Sequence, residues 1–234
     1  MSHHPATDNP MQQHWDRFAR DDAIHAILAL DRPVSDQEFY SGGRRIVADI
    51  MTWAFDGVPR GRLIEIGCGM GRTAAAFADH FTRVDALDIS PSMVAKARER
   101  CTAPNLHFHT TDGASLRPFD DSTFDAVFSF LVFQHIPSER VIRGLLHEIA
   151  RVLTPQGRAC IQFDTRPRSL LTDLYKSLPD PLLPRKHRRF MRRYRRNPAD
   201  VRTWASEAGL TIVRERDPHT DTHFFVLQRA TTVL

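Results

Sequence analysis

The stretch Glu65-Ile66-Gly67-Cys68-Gly69-Met70-Gly71 decides the fold of this 234-residue chain. An apolar run at residues 62–66, typical of a buried strand, leads into it, and a helical pattern begins at Thr73. Glycine at every second position lets the backbone turn sharply and come close to a ligand. The helix N-terminus beyond the loop favours an anionic group. The stretch therefore predicts a loop that binds a nucleotide-like cofactor.

Strand and helix patterns alternate on the C-terminal side of this loop. Further strands are predicted at residues 84–88, 106–110, 124–130 and 157–163, and two more at 210–216 and 222–228. Such alternation implies parallel strands with right-handed crossovers and helices on both faces. The short turn before the final strand makes that strand antiparallel. We therefore predict an α/β fold with a Rossmann-like, seven-stranded, mainly parallel sheet whose last strand is antiparallel.

Helical segments flank and interrupt the alternating pattern. Residues 1–58 are predicted to form an N-terminal helical cap segment, with a weak point in its second helix at Gly42-Gly43. Residues 59–234 are predicted to form the cofactor-binding domain, with a helical insertion at about 166–209. Within that insertion, Asn197-Pro198 is a typical start of a helix.

The bulk composition narrows the class of protein. The chain has 41% hydrophobic and 26% charged residues, which is ordinary for a globular domain. No apolar run approaches the length that spans a bilayer, and the start of the chain lacks the plan of a secretory signal. The three cysteines are far apart in sequence, without a spacing typical of zinc sites or disulfides. We expect a cytoplasmic protein without a membrane partner, as a monomer or a homodimer.

The net charge of +4 hides a strongly basic segment. Residues 185–196 contain eight Lys and Arg and no acidic residue, so the remainder of the chain carries about −4. Three interpretations stay open. The segment is a solvated helix face, a lid whose arginines clamp an acidic or phosphorylated small molecule, or a surface that binds nucleic acid.

Acidic residues follow successive strands at the spacing of a nucleotide cofactor. Asp88 ends the second strand about twenty residues after the loop, where a carboxylate accepts both ribose hydroxyls. Asp112-Gly113 follows the third strand. A dinucleotide fingerprint requires glycine or alanine at position 72, where this chain has Arg72. A NAD site is therefore disfavoured.

These motifs together resemble those of class I S-adenosylmethionine (SAM)-dependent methyltransferases. The glycine loop, Asp88, Asp112-Gly113, the strand from Phe124 and the turn at 151–157 come in the family's order, over about residues 60–165. One departure is Gln156, where the family usually has a second glycine. The resemblance implies SAM as cofactor, S-adenosylhomocysteine (SAH) as product, and no metal. It implies the following cofactor-binding residues: Glu65, Gly67, Gly69, Gly71, Asp88, Ile89, Met93, Asp112, Gly113 and Phe130.

The methyl acceptor is less well defined by the sequence. His135, just past the fourth strand, is the best candidate for a catalytic base, because imidazole titrates near neutral pH. The alternative is that His135 orders the loop or caps the next helix. As in similar enzymes, the helical segments would cover the acceptor pocket, and its candidate lining residues are Trp15, Tyr40, Phe133 and Tyr194.

The residues that follow the fourth predicted strand indicate the class of acceptor. The family's Asn-Pro-Pro-Tyr-type motif for base amines is absent, and Phe130-Leu131-Val132-Phe133 occupies its place. This favours a small, aromatic or acidic acceptor that attacks through oxygen or nitrogen. The alternatives are an RNA or protein methyltransferase that uses residues 185–196, and a SAM-binding protein without catalytic activity.

Overall fold

The chain folds around one seven-stranded sheet flanked by helices on both faces. This computed structural model describes residues 9–28, 32–167, 174, 178–182 and 192–230. The strands are β1 (Arg62–Ile66), β2 (Arg83–Asp88), β3 (Leu106–Thr110), β4 (Phe124–Ser129), β5 (Leu153–Phe163), β6 (Leu210–Arg216) and β7 (His223–Arg229). The helices are α1 (Pro10–Leu28), α2 (Asp36–Trp53), α3 (Arg72–Phe77), α4 (Pro91–Arg100), α5 (Glu139–Val152) and α6 (Pro198–Glu207). Short 3-10 turns cover Phe133–His135 and Asp180–Leu182.

The strand order is β3-β2-β1-β4-β5-β7-β6. β1 to β5 pair in parallel, and β7 runs antiparallel to both β5 and β6. The predicted sheet is thus confirmed. β5 begins earlier than predicted because Leu153 already pairs with Phe124, before a register shift brings Arg158 opposite Ala126.

Helix starts follow the capping residues in the sequence. The Ser90 side chain accepts a hydrogen bond from the Met93 N–H, and Pro91 occupies the first turn of α4. Asn197 caps α6 in the same way through the Ala199 N–H. These side chains satisfy backbone donors that lack a partner within the helix.

Two buried clusters cover the two faces of the sheet. One contains α5 and α6, with Leu146 and Trp204 among its members. The other contains α2, α3 and α4, so α2 belongs to the core layer of the domain. Gly42-Gly43 does not break α2. A Cβ at Gly43 would lie 2.3 Å from the Arg72 carbonyl oxygen, so glycine here allows α2 to pack directly on α3.

Within the predicted helical insertion at about 166–209, residues 192–197 are not helical, whereas Leu174 and Pro198–Glu207 are. Residues 192–197 have no helical hydrogen bonds. The Tyr194 N–H instead donates to the Gln134 carbonyl at 2.7 Å, and the Arg196 N–H donates to the Asp164 carbonyl at 2.8 Å. These long-range bonds replace the local ones that a helix requires. Residues 185–191 lie outside the described ranges.

Within the described ranges, no helix is both long enough and apolar enough to cross a bilayer.

Candidate cofactor and acceptor site

A cavity opens at the carboxyl ends of β1, β2 and β4, the edge at which open α/β sheets bind ligands. Its walls come from the glycine loop, from the loops after β2, β3 and β4, and from α1. The lining residues are Met11, Trp15, Ile27, Glu65, Ile66, Gly67, Cys68, Gly69, Arg72, Thr73, Asp88, Ile89, Met93, Thr111, Gly113, Phe130, Leu131, Val132, His135, Ile136 and Leu145.

The glycine loop turns through backbone conformations that favour glycine. Gly67, Gly69 and Gly71 have φ of 78°, 52° and 80°. The N–H groups of Gly67 and Cys68 both donate to the Leu87 carbonyl, at 2.7 and 2.8 Å, which ties the loop to β2. A side chain at Gly67 would also be excluded, because its Cβ would lie 2.2 Å from Cγ2 of Val132.

Asp88 joins the glycine loop to the start of α4. Its buried carboxylate accepts hydrogen bonds from the Gly69 N–H at 2.8 Å and from the Ser90 N–H at 2.9 Å. The Ile89 backbone is a third, weaker donor to this carboxylate, and a carboxylate with about four lone-pair sites keeps acceptor capacity beyond these contacts. Burial raises the pKa of Asp88, and the backbone hydrogen bonds oppose that effect.

Glu65 places a carboxylate with an unsatisfied oxygen against the cavity. Its side chain is 2% exposed, and one oxygen accepts a hydrogen bond from the Thr73 hydroxyl. The other oxygen, Oε2, is buried and has no hydrogen-bond partner in the described part of the chain. Burial raises the pKa of Glu65 to about 7, against the opposing effects of Thr73 and Arg72.

Arg72 brings a cation to the same wall. It is 8% exposed, and its guanidinium carbon lies 5.5 Å from the centre of the Phe39 ring and 5.9 Å from that of Phe130. Both rings offer a favourable face to the charge. Burial lowers the pKa of Arg72, yet an arginine stays protonated at neutral pH.

Trp15 and His135 form one part of the cavity wall. Their rings meet edge to face, with centroids 5.2 Å apart. Burial lowers the pKa of His135 to about 4, so the ring is neutral at physiological pH. Phe130 stacks on Phe224 at 5.5 Å, which fixes its ring beside the cavity.

Comparison with known proteins agrees with this geometry. Residues 64–161 match the family described as methyltransferase domain. This segment is a class I, SAM-dependent methyltransferase domain. It contains the glycine loop, Asp88 and His135 described above.

Curated relatives share the domain over part of their length. A demethylmenaquinone methyltransferase from Tropheryma whipplei is 32% identical over 124 residues, which are 53% of this chain and 50% of that protein. A 2-methyl-6-phytyl-1,4-hydroquinone methyltransferase from Synechocystis is 28% identical over 153 residues, 64% of this chain and 45% of that protein. The chain thus spans about half the length of these relatives.

A solved structure shares the fold over nearly the whole chain. Magnesium protoporphyrin IX methyltransferase from Synechocystis, with bound SAH, superposes with a TM-score of 0.62 at 24% identity. The superposition covers 93% of this chain and 95% of that one.

Most residues singled out in the sequence meet in the cavity of the methyltransferase domain. Nine of the cofactor and catalytic candidates line it, and so does one pocket candidate. These are Glu65, Gly67, Gly69, Asp88, Ile89, Met93, Gly113, Phe130 and His135, with Trp15 from α1.

Asp112 does not line the cavity, unlike its neighbour Gly113. Its carboxylate accepts hydrogen bonds from the N–H groups of Ala114 and Ser115, at 2.8 and 2.9 Å, and shapes the loop. The expectation that Asp112 contacts the cofactor stays a prediction.

Four other predicted site residues also lie outside the cavity lining described above. Phe133 is buried in the core against Phe163, because the 3-10 turn after β4 directs it away from the pocket. The Tyr40 hydroxyl donates to the Met70 carbonyl at 3.1 Å and supports the loop from behind. Gly71 is the N-cap residue of α3. The Tyr194 backbone N–H donates to the Gln134 carbonyl.

Residues of α1 and of the loop after β4 were missed by the sequence interpretation. Met11, Ile27, Leu131 and Val132 line the cavity, as does Arg72, which was considered only as a departure from the dinucleotide fingerprint. The apolar face of α1 was visible in its spacing. Its position over the cavity depends on contacts with residues more than seventy positions away.

The described end of the basic segment is paired within the fold. Arg193 forms an ion pair with Asp221 at 2.9 Å, and the Arg195 guanidinium donates to the Pro167 carbonyl. Arg196 is buried and bonds Glu139 at 3.1 Å. These three arginines therefore stabilise the fold and are not available as a continuous cationic surface.

Proposed function

We propose that the chain is a SAM-dependent methyltransferase that methylates an oxygen, or alternatively a nitrogen, of a small aromatic or acidic molecule. The observation that carries this proposal is the buried, unpartnered Oε2 of Glu65 beside the glycine loop. An unpaired buried carboxylate oxygen is costly unless a ligand supplies a donor or a positive charge.

The residues present fit SAM. Glu65 would bind its cationic amino group, and Gly67 and Gly69 would lie along its methionine part. The remaining lone pairs of Asp88 suit the ribose hydroxyls. Ile89, Met93 and Gly113 would border the adenine, and the backbone of Phe130 would lie near the amino group.

SAM supplies a methyl group on a positively charged sulfur. When bound, it would pass this methyl group to a lone pair of the acceptor, and the electrons of the carbon–sulfur bond would stay on the sulfur of SAH. The chain's own contribution is to hold the acceptor in line and to exclude water. Trp15, Phe130 and Val132 are placed to exclude water, since all three line the cavity next to the glycine loop.

The nature of the wall supports a small aromatic or acidic acceptor. Trp15, Phe130 and Leu145 are apolar, whereas Arg72 offers a positive charge and His135 a polar ring. The names of two relatives, which refer to demethylmenaquinone and to a phytyl hydroquinone, agree with an aromatic acceptor. The internal pairing of Arg193, Arg195 and Arg196 disfavours RNA as substrate. A cytoplasmic location belongs to the same proposal.

An acceptor screen with methyl-labelled SAM tests this function. The panel contains hydroquinones, phenols, aromatic carboxylates and amines, together with total RNA and a protein extract. We expect label in a small aromatic or acidic compound. Label in RNA or protein alone would contradict the acceptor class, and SAM binding without transfer to any member would favour the non-catalytic alternative.

A further inference from the structure

A chain of hydrogen bonds behind the cavity begins at the Leu131 backbone. The Leu131 N–H donates to Oε1 of Gln162 at 2.9 Å. A backbone N–H is a donor and never an acceptor, so this bond fixes which end of the Gln162 amide is oxygen. Gln162 is fully buried, and its Nε2 is left to donate.

The chain continues through a second buried amide to His135. Nε2 of Gln162 donates to Oε1 of Gln134 at 3.3 Å and to the Asp221 carbonyl. The oxygen of Gln134 therefore faces Gln162, and its Nε2 faces Nε2 of His135 at 3.1 Å. An amide nitrogen only donates, so the ring nitrogen opposite it must accept. The proton of the neutral His135 ring therefore lies on Nδ1.

Nδ1 of His135 is buried and makes no hydrogen bond of full geometry in the described part of the chain, although the Arg192 backbone acts on the ring as a weaker hydrogen-bond partner. The ring lines the cavity beside Trp15. A buried N–H whose hydrogen bond is incomplete is unfavourable, and a ligand that accepts from it reduces this cost.

Burial, more than the charged groups around it, keeps the His135 ring neutral. Burial and the Arg193 guanidinium lower the pKa of His135 to about 4, and His14 acts in the same direction. The Arg192 backbone and the Asp164 carboxylate oppose this effect without overcoming it. The Nε2 lone pair is already engaged by Gln134, so the ring, which lines the cavity, has its donor at Nδ1 and no free basic lone pair.

We propose that His135 donates a hydrogen bond from Nδ1 to an oxygen of the methyl acceptor, and thereby selects acceptors with an unprotonated oxygen at that point. Carboxylates, phenolates and carbonyls have such an oxygen. This inference rests on the proposed methyltransferase function, and it replaces the role of general base that the sequence suggested for His135.

The position of the proton is tested first in the wild-type protein. Nitrogen NMR of histidine-labelled protein with bound SAH, at pH 7, distinguishes the two ring nitrogens. The signal of His135 among the 12 histidines is assigned by its loss in His135→Asn. We expect a protonated Nδ1 and a bare Nε2. A proton on Nε2 would overturn the inference.

Two substitutions then separate a donor from a base. In His135→Asn the side-chain amide restores an N–H donor near the position of Nδ1 but takes up no proton, whereas His135→Phe keeps a ring without a donor. The substrate is the compound with the highest turnover in the screen. We expect His135→Phe to raise its KM roughly 10- to 100-fold, and His135→Asn to recover most of that loss. His147→Phe on the exposed face of α5 is the matched control.

The outcomes distinguish this inference from the proposed function. Equal loss of kcat in both His135 variants, with KM unchanged, would indicate a base and overturn the inference. An unchanged KM in His135→Phe would mean that Nδ1 serves the protein alone, for instance the Arg192 carbonyl. SAH binding is measured for each variant as the test of folding. Absence of SAH binding by the wild type would instead refute the proposed function.

Discussion

The buried Glu65 carboxylate destabilises the fold at neutral and higher pH, and the proposed binding of SAM would offset that cost. Burial raises its pKa to about 7 from an ordinary 4.5. A carboxyl with a raised folded-state pKa contributes its full stability below the unfolded pKa, and that contribution is lost as pH rises through about 7. A shift of this size corresponds to about 3 kcal/mol of destabilisation at pH 8. SAM, with its positive charge, would relieve that destabilisation.

Glu65→Gln should therefore stabilise the cofactor-free protein while weakening its binding of SAM. The amide keeps an acceptor for the Thr73 hydroxyl and removes the buried charge. We expect Tm at pH 8 to rise by roughly 4–8 °C, the equivalent of about 2 kcal/mol for a chain of this size. The gain should shrink as pH falls toward 5.

Thermal unfolding of Glu65→Gln across pH 5 to 8 checks this expectation, with Glu99→Gln on an exposed helix position as control. A lower Tm than wild type at pH 8 would contradict the account of a strained carboxylate. Tighter SAM binding by the variant would contradict the role of Glu65 as a ligand of the cofactor.

Sequence patterns predicted the position of Glu65 and Asp88 but not that of every neighbour. Both end buried parallel strands, so the sheet itself delivers them to the cavity. Asp112 and Phe133 lie beyond strand ends, in turns. Side-chain direction there depends on backbone angles such as the φ of 62° at Leu131, which no local pattern indicates.

At the scale of elements, hydrogen bonds to the start of α4 and to the residues just before it hold α1 over the cavity. The Asp16 carboxylate accepts hydrogen bonds from the Ser90 hydroxyl and the Ser92 N–H, both at 2.9 Å. Gln12 donates to the Ile89 carbonyl at 3.0 Å. Because Met11 and Trp15 line the cavity, these contacts hold part of the binding site in place.

Asp16→Ala should loosen α1 and weaken SAH binding roughly 5- to 10-fold, as expected for the loss of two hydrogen bonds from a capping carboxylate. Hydrogen exchange over residues 10–28 should become faster. The control is Arg20→Ala, which removes the exposed ion pair to Asp16 but leaves both hydrogen bonds. Equal effects of the two substitutions on SAH affinity would contradict this account of α1.

Local chemistry predicted where most helices begin, because Ser90-Pro91 and Asn197-Pro198 act within their own turn. It failed for residues 192–197, whose backbone bonds Gln134 and Asp164 from distant parts of the chain. Charge and spacing alone favour a helix there. The hydrogen bonds that prevent it are not visible before the chain is folded.

For the whole molecule, the alternation of strands and helices was sufficient to predict the sheet, its antiparallel last strand and the edge where ligands bind. The sequence did not predict how the charges are distributed over the folded protein. The basic segment at 185–196 suggested an exterior surface in the sequence, whereas Arg193 and Arg196 pair with acidic residues of the fold. The cavity wall combines residues from six separate parts of the chain, which no local pattern brings together.

Calorimetric titration of SAM into the wild-type protein, Asp88→Ala and Asp112→Ala tests the central claim most directly. Asp88 lines the cavity and Asp112 does not, so the pair separates cofactor contacts from general effects of removing a carboxylate. We predict saturable binding by the wild type, a loss of at least roughly 10-fold in Asp88→Ala, and a much smaller loss in Asp112→Ala. Absence of binding by the wild type, or equal affinity in wild type and Asp88→Ala, would contradict the account.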